Sequence, residues 1–124
     1  MDEDEVREVT RSLVDSLIYC HSMGVIHRDI KLDNLLYSTA KEQAVLKLTD
    51  FGFARFIEKE VLATTTCGTP GYVAPEILNR QPYNSSVDFW SLGVCLFIML
   101  SGEPPFMHED TFEMYELIKK ADCK

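Results

Sequence analysis

The side chains best suited to chemistry in this 124-residue chain lie in the run His27-Arg28-Asp29-Ile30-Lys31-Leu32-Asp33-Asn34 and in Asp50-Phe51-Gly52. Asp29 offers a carboxylate able to accept a proton, Lys31 a point positive charge close after it, and Asn34 and Asp50 hard oxygen ligands suited to Mg²⁺. Together these groups suit phosphoryl transfer, in which positioning and charge neutralisation matter more than covalent work by the protein. Taken singly they have plainer roles, since an aspartate readily forms a turn and Asx residues cap loops.

Both clusters follow short apolar runs, Val25-Ile26 and Val45-Leu46-Lys47-Leu48. Each is therefore expected where a short strand gives way to a loop, a usual mounting for functional groups. Leu35-Leu36-Tyr37 reads as a strand leaving the first cluster, and with Val45 to Leu48 it suggests a small hairpin across the polar loop Ser38 to Gln43. Ahead of it, Val6, Val9, Leu13 and Leu17 recur at helical spacing from Asp4 to about Ser22, and Gly24 is a plausible helix stop. From Asp50 to Glu76 no period survives Gly68, Pro70 and Gly71, so an irregular segment is expected. Ser86 to Ser101 is so apolar that a helix buried in the middle of the domain is expected, ended by Gly102 and Pro104-Pro105. A last amphipathic helix runs from about Asp110 to Ala121 and presents Phe112, Tyr115 and Ile118. The fold class that follows is α+β, mainly α-helical, with a small β-hairpin carrying the loop at Asp29.

The hydrophobic share of 46% is ordinary for a globular protein. A formal net charge of −8 makes nucleic acid an improbable partner and a basic peptide an easier one. The acidic start at Asp2 to Glu5 reads most simply as the solvated first turn of a helix. The four cysteines, Cys20, Cys67, Cys95 and Cys123, show no C-x-x-C pair and no zinc-ligand spacing, so reduced thiols are expected. No secretory pattern opens the chain, and its longest apolar run, Leu92 to Leu100, is far short of the roughly 20 residues that cross a bilayer. A soluble cytoplasmic protein with no membrane contact is expected.

The ordered set H-R-D-x-K-x-x-N, then D-F-G, then Ala74-Pro75-Glu76, followed by Asp88-Phe89-Trp90-Ser91-Leu92-Gly93, resembles the C-terminal lobe of a eukaryotic protein kinase. The resemblance covers nearly the whole chain. It implies a serine/threonine protein kinase that transfers the γ-phosphoryl group of ATP, with Mg²⁺, to a Ser/Thr hydroxyl of a protein substrate. Asp29 would orient the acceptor hydroxyl and take its proton, and Lys31 would neutralise the transferring phosphate. Asn34 and Asp50 would hold the metal ions, and Leu36 would lie beneath the adenine ring. Thr69, in Cys67-Gly68-Thr69-Pro70-Gly71-Tyr72, would bond the catalytic Asp and Lys. His27 and Phe51 match packing positions, and Asp88 matches a buried carboxylate that bonds the catalytic-loop backbone.

The stretch Cys67 to Leu78 looks most like the calcium/calmodulin-dependent kinase group, although that group usually has Pro-Glu where this chain has Leu32-Asp33. Asp33 still places an acid in the nucleotide and substrate region, so a basic target is expected. By resemblance, Arg28 and Arg55 would receive a phosphate set on Thr65 by an upstream kinase, ordering the segment.

The resemblance also makes residues 1–124 a partial kinase domain. The six glycines cannot form G-x-G-x-x-G, and no lysine sits in a V-A-I-K-like context. The upper lobe and the last helices are expected to be missing, leaving Glu76 without its family arginine at a cost of about 3 kcal/mol. On this reading the isolated chain transfers phosphate weakly or not at all. The alternative is a non-catalytic module that binds a substrate or partner kinase through residues 50–76 and the final helix.

Overall fold

The computed structural model describes residues 1–39, 44–58 and 62–123. Its first element, α1 (Glu3–Ser22), begins at a reciprocal cap: Asp2 accepts the Glu5 amide, and the Glu5 carboxylate accepts the Asp2 amide, satisfying two otherwise free donors. The acidic residues Glu3, Asp4 and Glu5 occupy this same turn, where the helix dipole favours negative charge. The helix ends at Met23, and Gly24 turns the chain with φ +74; a Cβ there would lie 3.0 Å from the Ile57 carbonyl oxygen.

Val6, Val9, Leu13 and Leu17 form the buried stripe of α1 and pack against Ile30 and against Leu92, Cys95 and Met99 of α3 (Ser86–Ser101). Leu17 is fully enclosed, so Leu17→Ala is expected to cost about 3 kcal/mol. That loss reads out as a lower urea midpoint at unchanged slope.

Among the described residues four short strands follow α1. β1 (Val25–Ile26) pairs antiparallel with β4 (Arg55–Phe56), placing Ile26 opposite Arg55, and β2 (Leu35–Tyr37) pairs antiparallel with β3 (Leu46–Leu48), placing Leu35 opposite Leu48. The expected hairpin is present, with Val45 outside it. The expected irregular stretch from Asp50 to Glu76 is more ordered than its sequence suggests. It contains β4, an isolated bridge from Ala63 to Tyr83 and the start of the short helix α2 (Pro75–Leu78). Strands of two residues carry no period to read, so they leave no trace in the pattern. Residues 40–43 of the expected polar loop, 59–61 of the expected irregular segment and Lys124 lie outside the described residues.

The helix α3 does not match the expectation of burial all round. It buries Val87, Asp88, Leu92 and Cys95 but leaves Phe89 43% and Leu100 52% exposed. An all-apolar composition sets no face of its own, so the packed side is decided by neighbours: α1 on one flank, and on the other α4 (Thr111–Lys120) with Phe106. Trp90 stacks on Phe106 with ring centres 5.9 Å apart, and Ile118 of α4 closes that cluster with Val94.

All four cysteines are free thiols. Burial pushes the Cys95 thiol up to about 12, which suppresses the reactive thiolate. Alkylation of the native chain at neutral pH is expected to modify the exposed Cys123 and spare Cys95 until urea is added, as intact mass would read.

Candidate active site

The loop that bears the candidate chemistry is held from beneath by Asp88, in the first turn of α3. Its buried carboxylate accepts the His27 amide at Oδ2 and the Arg28 amide at Oδ1, both at 2.9 Å, and His21 Nε2 lies 2.7 Å from Oδ2. A charge in this position is tolerable because donors meet both oxygens. Arg28 has φ +68, a left-handed conformation that costs a residue with a side chain. The bond from its amide to Asp88 opposes that cost.

His27 joins the two halves of the site. Its Nδ1 accepts the Asp29 amide at 3.2 Å, which leaves Nε2 to carry the proton and donate to the Thr49 carbonyl at 3.0 Å. The ring also meets Phe51 edge to face, with centres 4.6 Å apart. Thr49 in turn donates its amide and its hydroxyl to the Asn34 carbonyl, at 2.9 and 3.1 Å. Thr49 is thus tied to both ends of the loop, and Asp50 is the next residue along the chain from that junction.

Asp29 is only 4% exposed. Its Oδ1 accepts the Thr69 hydroxyl at 2.6 Å; its Oδ2 has Asn34 Nδ2 at 3.3 Å and Lys31 Nζ at 3.7 Å. Asn34 Nδ2 also donates to the Asp29 carbonyl at 2.8 Å, and neither bond uses the Asn34 Oδ1. Asp50 is exposed with φ +58, and its Oδ1 accepts the Gly52 amide at 3.2 Å. The donor set offered to a cation is therefore an amide oxygen and a carboxylate, hard ligands that fit Mg²⁺ when water or phosphate oxygens complete its shell. Among the described residues no group of three or more His, Cys, Asp or Glu side chains gathers as a metal cage.

Gly68 allows Thr69 to reach Asp29. It adopts φ +119, and a Cβ would lie 2.9 Å from Val73 Cγ2 and 3.2 Å from the Arg28 carbonyl oxygen. Gly68→Ala is expected to cost on the order of 2 kcal/mol, measurable by thermal unfolding, and to pull the Thr69 hydroxyl away from the carboxylate.

The structure brings Asp29, Lys31, Asn34 and Thr69 together and attaches Asp50 through Thr49. Leu36 stands 53% exposed on β2, so it is not core. Asp33 lies exposed in the single 3₁₀ turn Leu32–Asn34. Arg55 is exposed on β4, and Arg28 donates from Nε to the Phe53 carbonyl at 2.5 Å and from Nη1 to the Tyr83 hydroxyl at 3.2 Å. Thr65 is exposed, its carbonyl accepts the Tyr83 hydroxyl at 2.6 Å, and among the described residues no bond joins either arginine to its side chain. Glu76 is half-buried without an ion pair among the described residues. Sequence reasoning missed His21 and Tyr83. Neither stands in a motif, and only the folded chain brings them to the loop.

Comparison with known proteins places these features in context. The family model described as "Protein kinase domain" matches residues 1–123. The "probable myosin light chain kinase" of Dictyostelium discoideum is 44% identical over 96% of this chain and 39% of its own length. The calcium/calmodulin-dependent protein kinase type 1 of Macrobrachium nipponense is 40% identical over 97% of this chain and 34% of its own length. The MAP kinase-activated protein kinase 2 of Oryctolagus cuniculus is 48% identical over 84% of this chain and 28% of its own length. The chain thus spans less than two-fifths of the length of these relatives.

Proposed function

The chain belongs to the protein kinase family, in its serine/threonine branch, and on that premise we propose that residues 1–124 form part of the C-terminal lobe of a kinase domain. The proposed lobe portion runs from α1, which leads into the catalytic loop, to α4. The reaction is transfer of the ATP γ-phosphoryl group to a Ser/Thr hydroxyl of a protein. The observation that supports it best is the convergence of Thr69, Asn34 and Lys31 on the single carboxylate of Asp29.

In this reading Asp29 orients the acceptor hydroxyl and takes its proton, and Thr69 keeps the carboxylate turned toward it. Lys31 offsets charge on the transferring group. Mg²⁺, held by Asn34 and Asp50, neutralises the nucleotide phosphates when bound. Leu36 lies beneath the adenine ring, and Asp33 favours a substrate with a basic residue. Arg28 and Arg55 receive a phosphate placed on Thr65 by an upstream kinase. The chain works in the cytoplasm.

The exposure of Leu36 on β2 and of Phe53, three residues after Asp50, favours a second reading. There the chain is a non-catalytic module that binds a substrate or partner kinase.

Titration calorimetry with ATP and Mg²⁺ separates the two. Asp50→Ala is expected to weaken Mg²⁺-dependent nucleotide binding by about tenfold or more, the scale for losing one charged ligand. Indistinguishable affinities would remove the metal assignment and leave the binding module.

A further inference from the structure

We propose that Tyr83 is a positioning residue: its phenol latches residues 63–67 onto the catalytic loop and, through Arg28, onto the residues that follow Asp50. Tyr83 is 3% exposed, and its hydroxyl donates to the Thr65 carbonyl at 2.6 Å and accepts from Arg28 Nη1 at 3.2 Å, with the Cys67 side chain also beside it. Its backbone closes a second fastening on the same segment, exchanging bonds of 2.8 and 2.9 Å with Ala63. Arg28 continues the line from its Nε to the Phe53 carbonyl, and its own amide is fixed by Asp88.

A continuous path of hydrogen bonds thus runs from Thr65 through phenol and guanidinium to the turn beside Asp50. Apolar packing does not require the hydroxyl, because phenylalanine would fill the same space among Ile26, Ala63, Val73 and Val87. The oxygen is there for its polar partners. Burial raises the phenol above its ordinary value against the opposing pull of Arg28, which keeps it a donor at neutral pH.

The consequence, though not the latch, rests on the function proposed above. Arg28 is the guanidinium assigned there to a phosphate on Thr65. With Thr65 unmodified, Tyr83 already occupies that guanidinium and orders the segment.

Hydrogen exchange followed by mass spectrometry tests this on the chain itself. Tyr83→Phe is expected to speed exchange about tenfold both at residues 63–67 and at Ala54, whose amide bonds the Phe51 carbonyl, while Leu13 to Leu17 of α1 stay unchanged. Arg28→Lys should speed Ala54 alone, because Tyr83 still donates to Thr65. A packing role without the latch would leave Ala54 unmoved. Acceleration below about twofold at 63–67, or equal acceleration in α1, overturns the proposal. Phosphate mapping on Thr65 is a separate measurement, so failure of the phosphorylation reading is not mistaken for failure of the latch.

Discussion

Replacing Asp88 with alanine is expected to lower the stability of the chain by about 3–5 kcal/mol, the range for removing one partner from a buried charged cluster. The carboxylate is the acceptor for the His27 and Arg28 amides and the neighbour of His21 Nε2. Without it those amides face a packed interior, at about 1–3 kcal/mol for each donor left unmet. Relief of the left-handed Arg28 backbone returns about 1–2 kcal/mol, and the net loss still removes much of the roughly 5–15 kcal/mol available to a domain. Asp88→Asn should fall between the variant and the parent, because one side-chain oxygen still accepts while the amide group opposes the second donor. His21→Ala should cost only about 1 kcal/mol, since it deletes one donor and leaves the carboxylate bonded to the backbone. Urea unfolding followed by circular dichroism gives the order. If His21→Ala proved as damaging as Asp88→Ala, the histidine pair rather than the loop backbone would be what Asp88 supports.

The residues that sequence reasoning located are those that carry either a period or a motif. The stripe of Val6, Val9, Leu13 and Leu17 announced α1, and the short apolar runs Leu35 to Tyr37 and Val45 to Leu48, on either side of a polar loop, announced the hairpin. Asp88 stood out as a charge at the start of an apolar helix, and the structure gives it the backbone partners the family resemblance implied. What stayed hidden depends on residues far apart in the chain. Ile26 opposite Arg55 and Ala63 opposite Tyr83 are pairings of isolated residues, and no local pattern specifies them. The covered face of α3 was hidden for a related reason: Phe89 and Leu100 are as apolar as Leu92 and Cys95, and only the positions of α1 and α4 separate exposed from buried. Arg28 shows the same limit within the site. No local pattern announced the Phe53 carbonyl and the Tyr83 hydroxyl that it meets in the fold.

Asp29→Asn is expected to lower kcat for transfer to a serine peptide by about 10²–10⁴-fold, the contribution of a positioned proton acceptor, in whichever length of chain carries the activity. The peptide KM should stay within about threefold, because the lost interaction belongs to the transition state more than to the bound substrate. The surroundings of Asp29 make the substitution informative despite its near-identical shape. Thr69 donates to one carboxylate oxygen, while Asn34 Nδ2 and Lys31 Nζ approach the other. An asparagine that keeps the Thr69 bond turns its own amide nitrogen toward Asn34 and Lys31, donor against donor. One that turns the other way presents its amide nitrogen to Thr69, whose hydroxyl must then accept where it had donated. In either rotamer the charge is gone and one contact is opposed or reversed, so no arrangement of the variant restores the carboxylate acceptor. Thr69→Val provides the complementary measurement: it leaves the carboxylate in place and removes one bond to it, for an expected loss of about ten- to a hundredfold. If Asp29→Asn kept activity within about tenfold of the parent, the proton would have another acceptor, and Asp29 would be a packing residue that Thr69, Asn34 and Lys31 merely hold in place.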